Sequence, residues 1–252
     1  MNTLSLRKAT RWIALGAIVP LAIFSTELAA QTKAVDPAAV KILQRMTGYV
    51  GGLQTFSVHT RNTLEDELDS GHRVDFDISA DVIIRRPNKL HAERKGDLID
   101  QAFYYDGKTL TLYNPSDRVY ATEPAPGTIE EMLDYARESL GLMVPVADLV
   151  YRNAFALLMQ DVTLAVVVGK SVIGGVTCDH LLFGRPGVDF QVWVAESGPP
   201  LPYKYVVTDT ATPARLSIST VMSGWDVAPS VADTRFTFEP PEEVKSISFI
   251  AF

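Results

Sequence analysis

Four histidines, His59, His72, His91 and His180, are the side chains best suited to proton transfer or metal ligation, and their spacing supports neither. No two stand one helical turn apart, as a pair of ligands on one helix face would. Their positions in strand-like segments put most of them on wet faces. Asp75, Asp77 and Asp81 come nearest to a carboxylate pair that could divide acid and base roles. At period two beside alternating apolar residues they fall on the solvent face of a strand, where hydration accounts for them. The stretch FYYDGKTLTLYNPSDRVYATEPAP, residues 103–126, gathers Asp106, Lys108, Ser116, Asp117 and Arg118. No partner base lies nearby, and DGK and NPSD read as hairpin turns, with Lys108 and Arg118 as solvated flanks. The single cysteine, Cys178, sits beside a β-like apolar run and reads as a structural thiol. Nucleophile elbows, phosphate loops and dinucleotide fingerprints are missing from the sequence. No catalytic residue, metal site or cofactor is expected.

The elements that would position any site follow from periodicity. Arg7, Lys8 and Arg11 precede an apolar run from Trp12 to Phe24, shorter than the ~20 residues of a spanning helix. Small residues at Ala29 and Ala30 complete an export signal, so residues 1–30 are expected to be cleaved near Ala30 and residues 31–252 to form a single domain. The formal net charge of −7 becomes more acidic once Arg7, Lys8, Arg11 and Glu27 are removed. Such a surface repels phosphate backbones, and nucleic acid is excluded as a partner. With one cysteine, the exported chain has no internal disulfide and rests on packing.

DPAAVKILQRMTGYV has Asp36 as N-cap, Pro37 at the first helical position, and Val40, Leu43, Met46 and Val50 at helical spacing. From Gln54 the period becomes two. In VDFDISADVIIR, Val74, Phe76, Ile78, Ala80, Val82 and Ile84 share one face, which argues for an antiparallel sheet packed on one side. Thr128 and Glu131 make a capping box before the stripe Ile129, Met132, Leu133, Ala136, Leu140, and a second apolar helical segment spans roughly 146–159. Strands then resume to Met222. The expected class is α+β: a curved antiparallel half-barrel sheet with an N-terminal helix and a helical insertion covering its dry face.

One charge breaks this pattern. Continuing the even-numbered dry face of residues 74–84 places Arg86 on the apolar side, next to Pro87. Either the strand ends at Arg85 and Arg86 reaches water at the rim, or the guanidinium turns inward and bonds the carbonyls at the ends of the covering helices.

Three segments, IIRRPNKL (83–90), YDGKTLTLYNPSDRVYAT (105–122) and FTFEPPEEV (236–244), together resemble the LolA-type periplasmic lipoprotein carriers and their relatives. CDHLLF, VDFQVWV and PLPYKYVVT look like an uncharacterised branch of predicted periplasmic proteins within that superfamily. The resemblance implies a periplasmic half-barrel with a helical lid, whose hollow shelters acyl chains. It also implies that Arg86, which matches the arginine of the RPN motif, bonds the lid and helps switch it. On this reading the chain is a non-enzymatic carrier for a lipid or lipoprotein acyl chain, working with a membrane-bound donor or acceptor protein. The expected lining is Phe76, Ile78, Val82, Ile84, Leu110, Leu112, Met132, Leu133, Leu140, Phe155, Leu158 and Met159, residues that could equally meet one another in a dry core. The alternatives are an envelope interaction or scaffold protein with a filled core, and an enzyme using the hollow as its pocket.

Overall fold

Twelve strands of the described residues form one sheet, and two long-range pairings set its order. The computed structural model describes residues 35–249 except 98, 143 and 145. The expected leader, residues 1–30, lies outside them. Helix α1 (Pro37–Gly52) starts where expected, with Asp36 Oδ1 accepting from Ala38 N at 2.8 Å, and buries Leu43, Met46 and Val50. Strands β1 (Thr55–Glu67), β2 (Arg73–Arg85), β3 (Lys89–Gly96), β4 (Asp100–Tyr105), β5 (Thr109–Asn114) and β6 (Val119–Pro124) follow as an antiparallel meander. After the helical segment come β7 (Leu164–Ile173), β8 (Val176–Arg185), β9 (Val188–Ala195), β10 (Pro202–Asp209) and β11 (Ser217–Asp226). Strand β11 pairs antiparallel with β1, Thr60 opposite Met222 and Asn62 opposite Thr220, and so joins the two meanders. A short β12 (Lys245–Ser246) adds in parallel to β6, leaving β12 and β7 as the two edges of an open sheet.

The expectation of a curved antiparallel sheet with an N-terminal helix and a helical cover is met. Helix α2 (Ile129–Glu138) begins with the capping box: Thr128 Oγ1 accepts from Glu131 N at 3.3 Å and donates to Glu131 Oε2 at 2.8 Å. The segment 146–159, expected as one helix, is instead a 3-10 turn (Ala147–Leu149), with Val146 at φ 57°, followed by a short α3 (Ala154–Met159). The break frees the Val150 carbonyl from helical bonding, and it is used elsewhere. These pieces cover the inner face in two patches. Helix α2 and Tyr151 pack on β1–β5 around Phe56, Ile84, Phe103 and Leu110. Helices α1 and α3 pack on the other half around Leu181, Phe183, Phe190 and Val192. Val82 and Trp225 touch both clusters.

The outer face is not uniformly wet. The chain leaves β11 and straps the outside of β3–β6 on its way to β12. Phe236 is fully buried there, beneath the Arg85 guanidinium at 4.8 Å, and Phe238 lies 5.1–5.2 Å from the rings of Tyr104, Tyr113 and Tyr120. Arg85 also binds Asp233 at 2.5 Å, and Arg118, expected as a solvated flank, bonds Glu242 O and Glu243, both at 3.1 Å. The strap corrects the expectation for one histidine. His72 is exposed, and His59 and His180 are half-buried, but His91 is only 1 % exposed because the strap covers it. Cys178 is likewise buried, and burial pushes its thiol pKa up to about 11, as an inert thiol requires.

Burial holds the His91 pKa below its ordinary 6.5, against the opposing pull of Glu93 at 3.0 Å and with Arg235 nearby. As pH falls below about 6.5 the unfolded chain takes up this proton first, so stability contributed by neutral His91 is lost between that value and its lower folded value. Asp106 and Asp233 have pKa values lowered from 3.8, and their losses come at lower pH. The thermal midpoint is therefore expected to fall between neutral pH and about pH 5 in the wild type, and to fall less in His91→Gln. Parallel pH profiles for the two proteins would refute the assignment.

Candidate functional site

β2 ends at Arg85, and Arg86 opens the turn that follows, its parity still carrying it to the opposite face from Arg85. Arg85 holds the outer strap. Arg86 points inward, its side chain fully buried, and every polar group of its head meets an acceptor. Nε donates to Leu53 O at 3.1 Å, Nη1 to Glu130 Oε1 at 3.0 Å, and Nη2 to Val150 O. Its backbone N donates to Gln54 O at 2.8 Å. The guanidinium thus joins the loop after α1, the first turn of α2 and the 3-10 turn. Burial lowers its pKa, and the Glu130 carboxylate opposes that shift. Glu130 Oε1 also accepts from Arg152 N at 3.2 Å, so the same carboxylate draws in the chain ahead of α3.

The neighbouring residues pin the start of the lid. Ile129 N donates to Pro87 O at 3.0 Å, and the Tyr105 hydroxyl donates to Pro126 O, with Thr128 O at 3.2 Å. Lys89 Nζ donates to Asp106 O at 3.1 Å. Gly107, at φ +91°, comes so close to Asn88 that a Cβ would lie 2.4 Å from its side-chain nitrogen. The RPN and DGK segments, twenty residues apart in sequence, therefore build one corner of the molecule. On the far side of α2, Tyr151 donates to Asp134 at 2.6 Å and accepts from Arg137 at 2.8 Å, tying the helix to the 3-10 turn.

Between the lid and the sheet lies a hollow of about 110 Å³, where the two core patches meet. Its walls are almost wholly apolar. Of the residues expected to line it, Val82, Ile84, Leu110, Met132 and Leu133 do so. Leu112 and Leu140 belong to the packing around α2 without reaching the hollow. Ile78 is buried on the same face, further along β2, and Phe76 is half-buried beyond it. Phe155, Leu158 and Met159 pack into the other patch, because α3 lies against α1 rather than over β1–β5. Missed were Phe56 and Val58 on β1, Met222 and Trp225 on β11, and Val144, Val146, Ala147, Leu149 and Val150 beyond α2. Phe56 and Val58 were visible as a period-two face; the β11 residues depended on the pairing with β1. Arg94 also lines the hollow, and its parity with Leu90 and Ala92 was the available signal. Among the described residues no group of His, Cys, Asp or Glu could hold a metal ion.

The result is an open antiparallel sheet whose inner face is covered by helices around an apolar hollow, the half-barrel architecture expected from the resemblance to LolA-type carriers. The chain belongs to the family described as predicted periplasmic protein (DUF2092), whose profile matches residues 39–250. No curated protein matches it significantly. Among solved structures it is similar to LprF from Mycobacterium bovis, with 15 % identity over 79 % of this chain and 97 % of that one, at a TM-score of 0.50. It is also similar to the lipoprotein LppX from Mycobacterium tuberculosis, with 19 % identity over 78 % and 100 % of the chains and a TM-score of 0.45. A LolA-superfamily protein from Nitrosomonas europaea matches with 13 % identity over 79 % and 97 %, at 0.38. The LprF likeness speaks to the fold; the other two fall below one half and carry no functional weight.

Replacing Arg86 by Leu would leave Leu53 O and Val150 O without this donor in a dry corner, and the Glu130 carboxylate with only its bond from Arg152 N. The expected loss is roughly 2–4 kcal/mol in urea denaturation, with Arg86→Lys recovering only part because an ammonium cannot span three acceptors. A loss for Arg86→Leu within about 0.5 kcal/mol, the range of an ordinary surface change, would show that the lid is held by apolar packing alone.

Proposed function

We propose that this protein is a non-enzymatic periplasmic carrier that shelters the acyl chain of a lipid or lipoprotein beneath its helical lid, after cleavage of the leader near Ala30. The observation that carries this reading is the apolar hollow between sheet and lid, at the seam of the two core patches. A filled scaffold core would have no reason to leave its seam open. Family membership supports the compartment, and the fold is compatible with the role.

The size of the hollow says how it would work. At about 110 Å³ it is smaller than the ~150 Å³ cavity that admits a single benzene ring, so in this closed form it holds at most a few methylene groups. An acyl chain requires α2 to lift. Each methylene then taken from water contributes about 0.8 kcal/mol, and Arg86, bonded to both sides of the lid seam, is the latch those gains would open. Transfer to and from membranes calls for a donor or acceptor protein. Strand β7, an open edge with Val168 and Val172 exposed, is the place for one to add.

The test is native mass spectrometry with lipid extraction on protein purified from the periplasm without detergent, beside a variant in which Ala136, on the inner face of α2, becomes Phe. The expected result is bound acyl species at fixed stoichiometry in the wild type and reduced occupancy in Ala136→Phe. A clean apo mass, with no uptake of a fluorescent fatty acid, would overturn the carrier reading.

A further inference from the structure

The hollow has a direction. Register stacks the inward side chains of β1, β2 and β3 in rows: Phe56, Ile84 and Leu90 nearest Arg86, then Val58, Val82 and Ala92, then Thr60, Ala80 and Arg94, then Asn62, Ile78 and Gly96. Apolar rows lie at the latch end and polar groups appear only beyond them, about 13 Å along the strands at two residues per row. Thr60, Asn62 and Arg94 all reach the hollow, whose described lining contains no Asp or Glu.

The polar groups differ in what they can offer a ligand. Asn62 is engaged by the sheet: Nδ2 donates to Thr60 Oγ1 and Ile78 O, each at 3.2 Å, and Oδ1 accepts from Thr220 Oγ1 at 2.7 Å. This network braces the floor. Arg94 lies with its guanidinium carbon 5.5 Å from the centre of the Phe103 ring, and burial lowers its pKa. A half-buried cation against an aromatic wall favours an incoming anion, and a planar fork of five N–H donors can serve a protein neighbour and an oxyanion together. Among the polar groups of the described lining it is the one that carries a charge, and so the one that would distinguish one amphiphile from another.

We propose that the hollow selects anionic amphiphiles, the tail lying along the Phe56 and Val58 rows beneath α2 and a carboxylate or phosphate headgroup meeting Arg94. This rests on the carrier reading and adds a headgroup specificity to it. The polarity order also fixes the orientation of the bound molecule, tail toward Arg86 and head toward Arg94.

The full exported chain is titrated calorimetrically, below their micelle concentrations, with dodecanoate, dodecyl phosphate, dodecanol and dodecyltrimethylammonium, beside Arg94→Gln and Arg94→Lys. One or both anions should bind the wild type about tenfold or more tighter than dodecanol, the worth of a charge-assisted bond. Arg94→Gln should erase that ratio while keeping dodecanol affinity, and Arg94→Lys should keep part of it. Preference between carboxylate and phosphate would tell a fatty acid from a phospholipid-type head. Dodecanol binding as tightly as both anions, or a ratio unchanged in Arg94→Gln, would overturn the headgroup proposal and leave the carrier reading standing. Binding of none of the four would overturn both. Should Arg94→Gln not fold, the wild-type headgroup series decides alone, since equal affinities there refute the proposal.

Discussion

A fully buried guanidinium has to be met by acceptors on every side, and Arg86 finds them in three separate pieces of chain. Leaving water costs an ion several kcal/mol, so the arrangement is tenable only while the loop after α1, the first turn of α2 and the 3-10 turn converge on it. That convergence explains local features that otherwise look arbitrary. The helical segment after α2 breaks where Val150 must turn its carbonyl toward Arg86. Glu130 sits in the first turn of α2, where its charge suits both the helix end and the guanidinium. The lid is held over the sheet by directional bonds at this edge and by non-directional packing elsewhere.

The other side of the same strand end carries a parallel device. Arg85 is the last residue of β2 and Arg86 the first beyond it, and successive side chains go to opposite faces, one to the strap and the other to the lid. The strap seats Phe236 under Arg85 and Phe238 among three tyrosines, so β3–β6 are covered on both faces at this end. A sheet dry on both sides is held from both faces. The aromatic cover also explains why Thr111 and His91, on the nominally wet face, are buried.

The hollow is where two core patches fail to merge. Helices α1 and α3 fill one half of the inner face and α2 fills part of the other, with Val82 and Trp225 at the seam. Protein interiors are otherwise close-packed, so a gap of about 110 Å³ at this seam stands out from the packing on either side. The row order from Phe56 to Asn62 makes the gap polarised as well as apolar, because the strand register carries the sequence of β1–β3 directly into a spatial gradient.

Much of this was legible in the sequence, because period two and period 3.6 are local properties of the chain. The α1 cap, the capping box of α2, the dry face of β2 and the inward parity of Arg86 follow from residues close to one another, and so does the turn at Asp106 and Gly107. With one cysteine the sequence alone also excluded an internal disulfide, and its acidic balance argued against a nucleic-acid partner. What only the tertiary structure decided is which dry faces meet. Phe155, Leu158 and Met159 are as apolar as Met132 and Leu133, and either patch would satisfy them, so local pattern cannot assign them to the core or to the hollow. The pairing of β1 with β11 brings Met222 and Trp225 to the hollow across most of the chain's length, and the strap turns a wet face dry from equally far away. Burial is a sum over partners distant in sequence, whereas the direction in which a side chain points is settled by its own backbone.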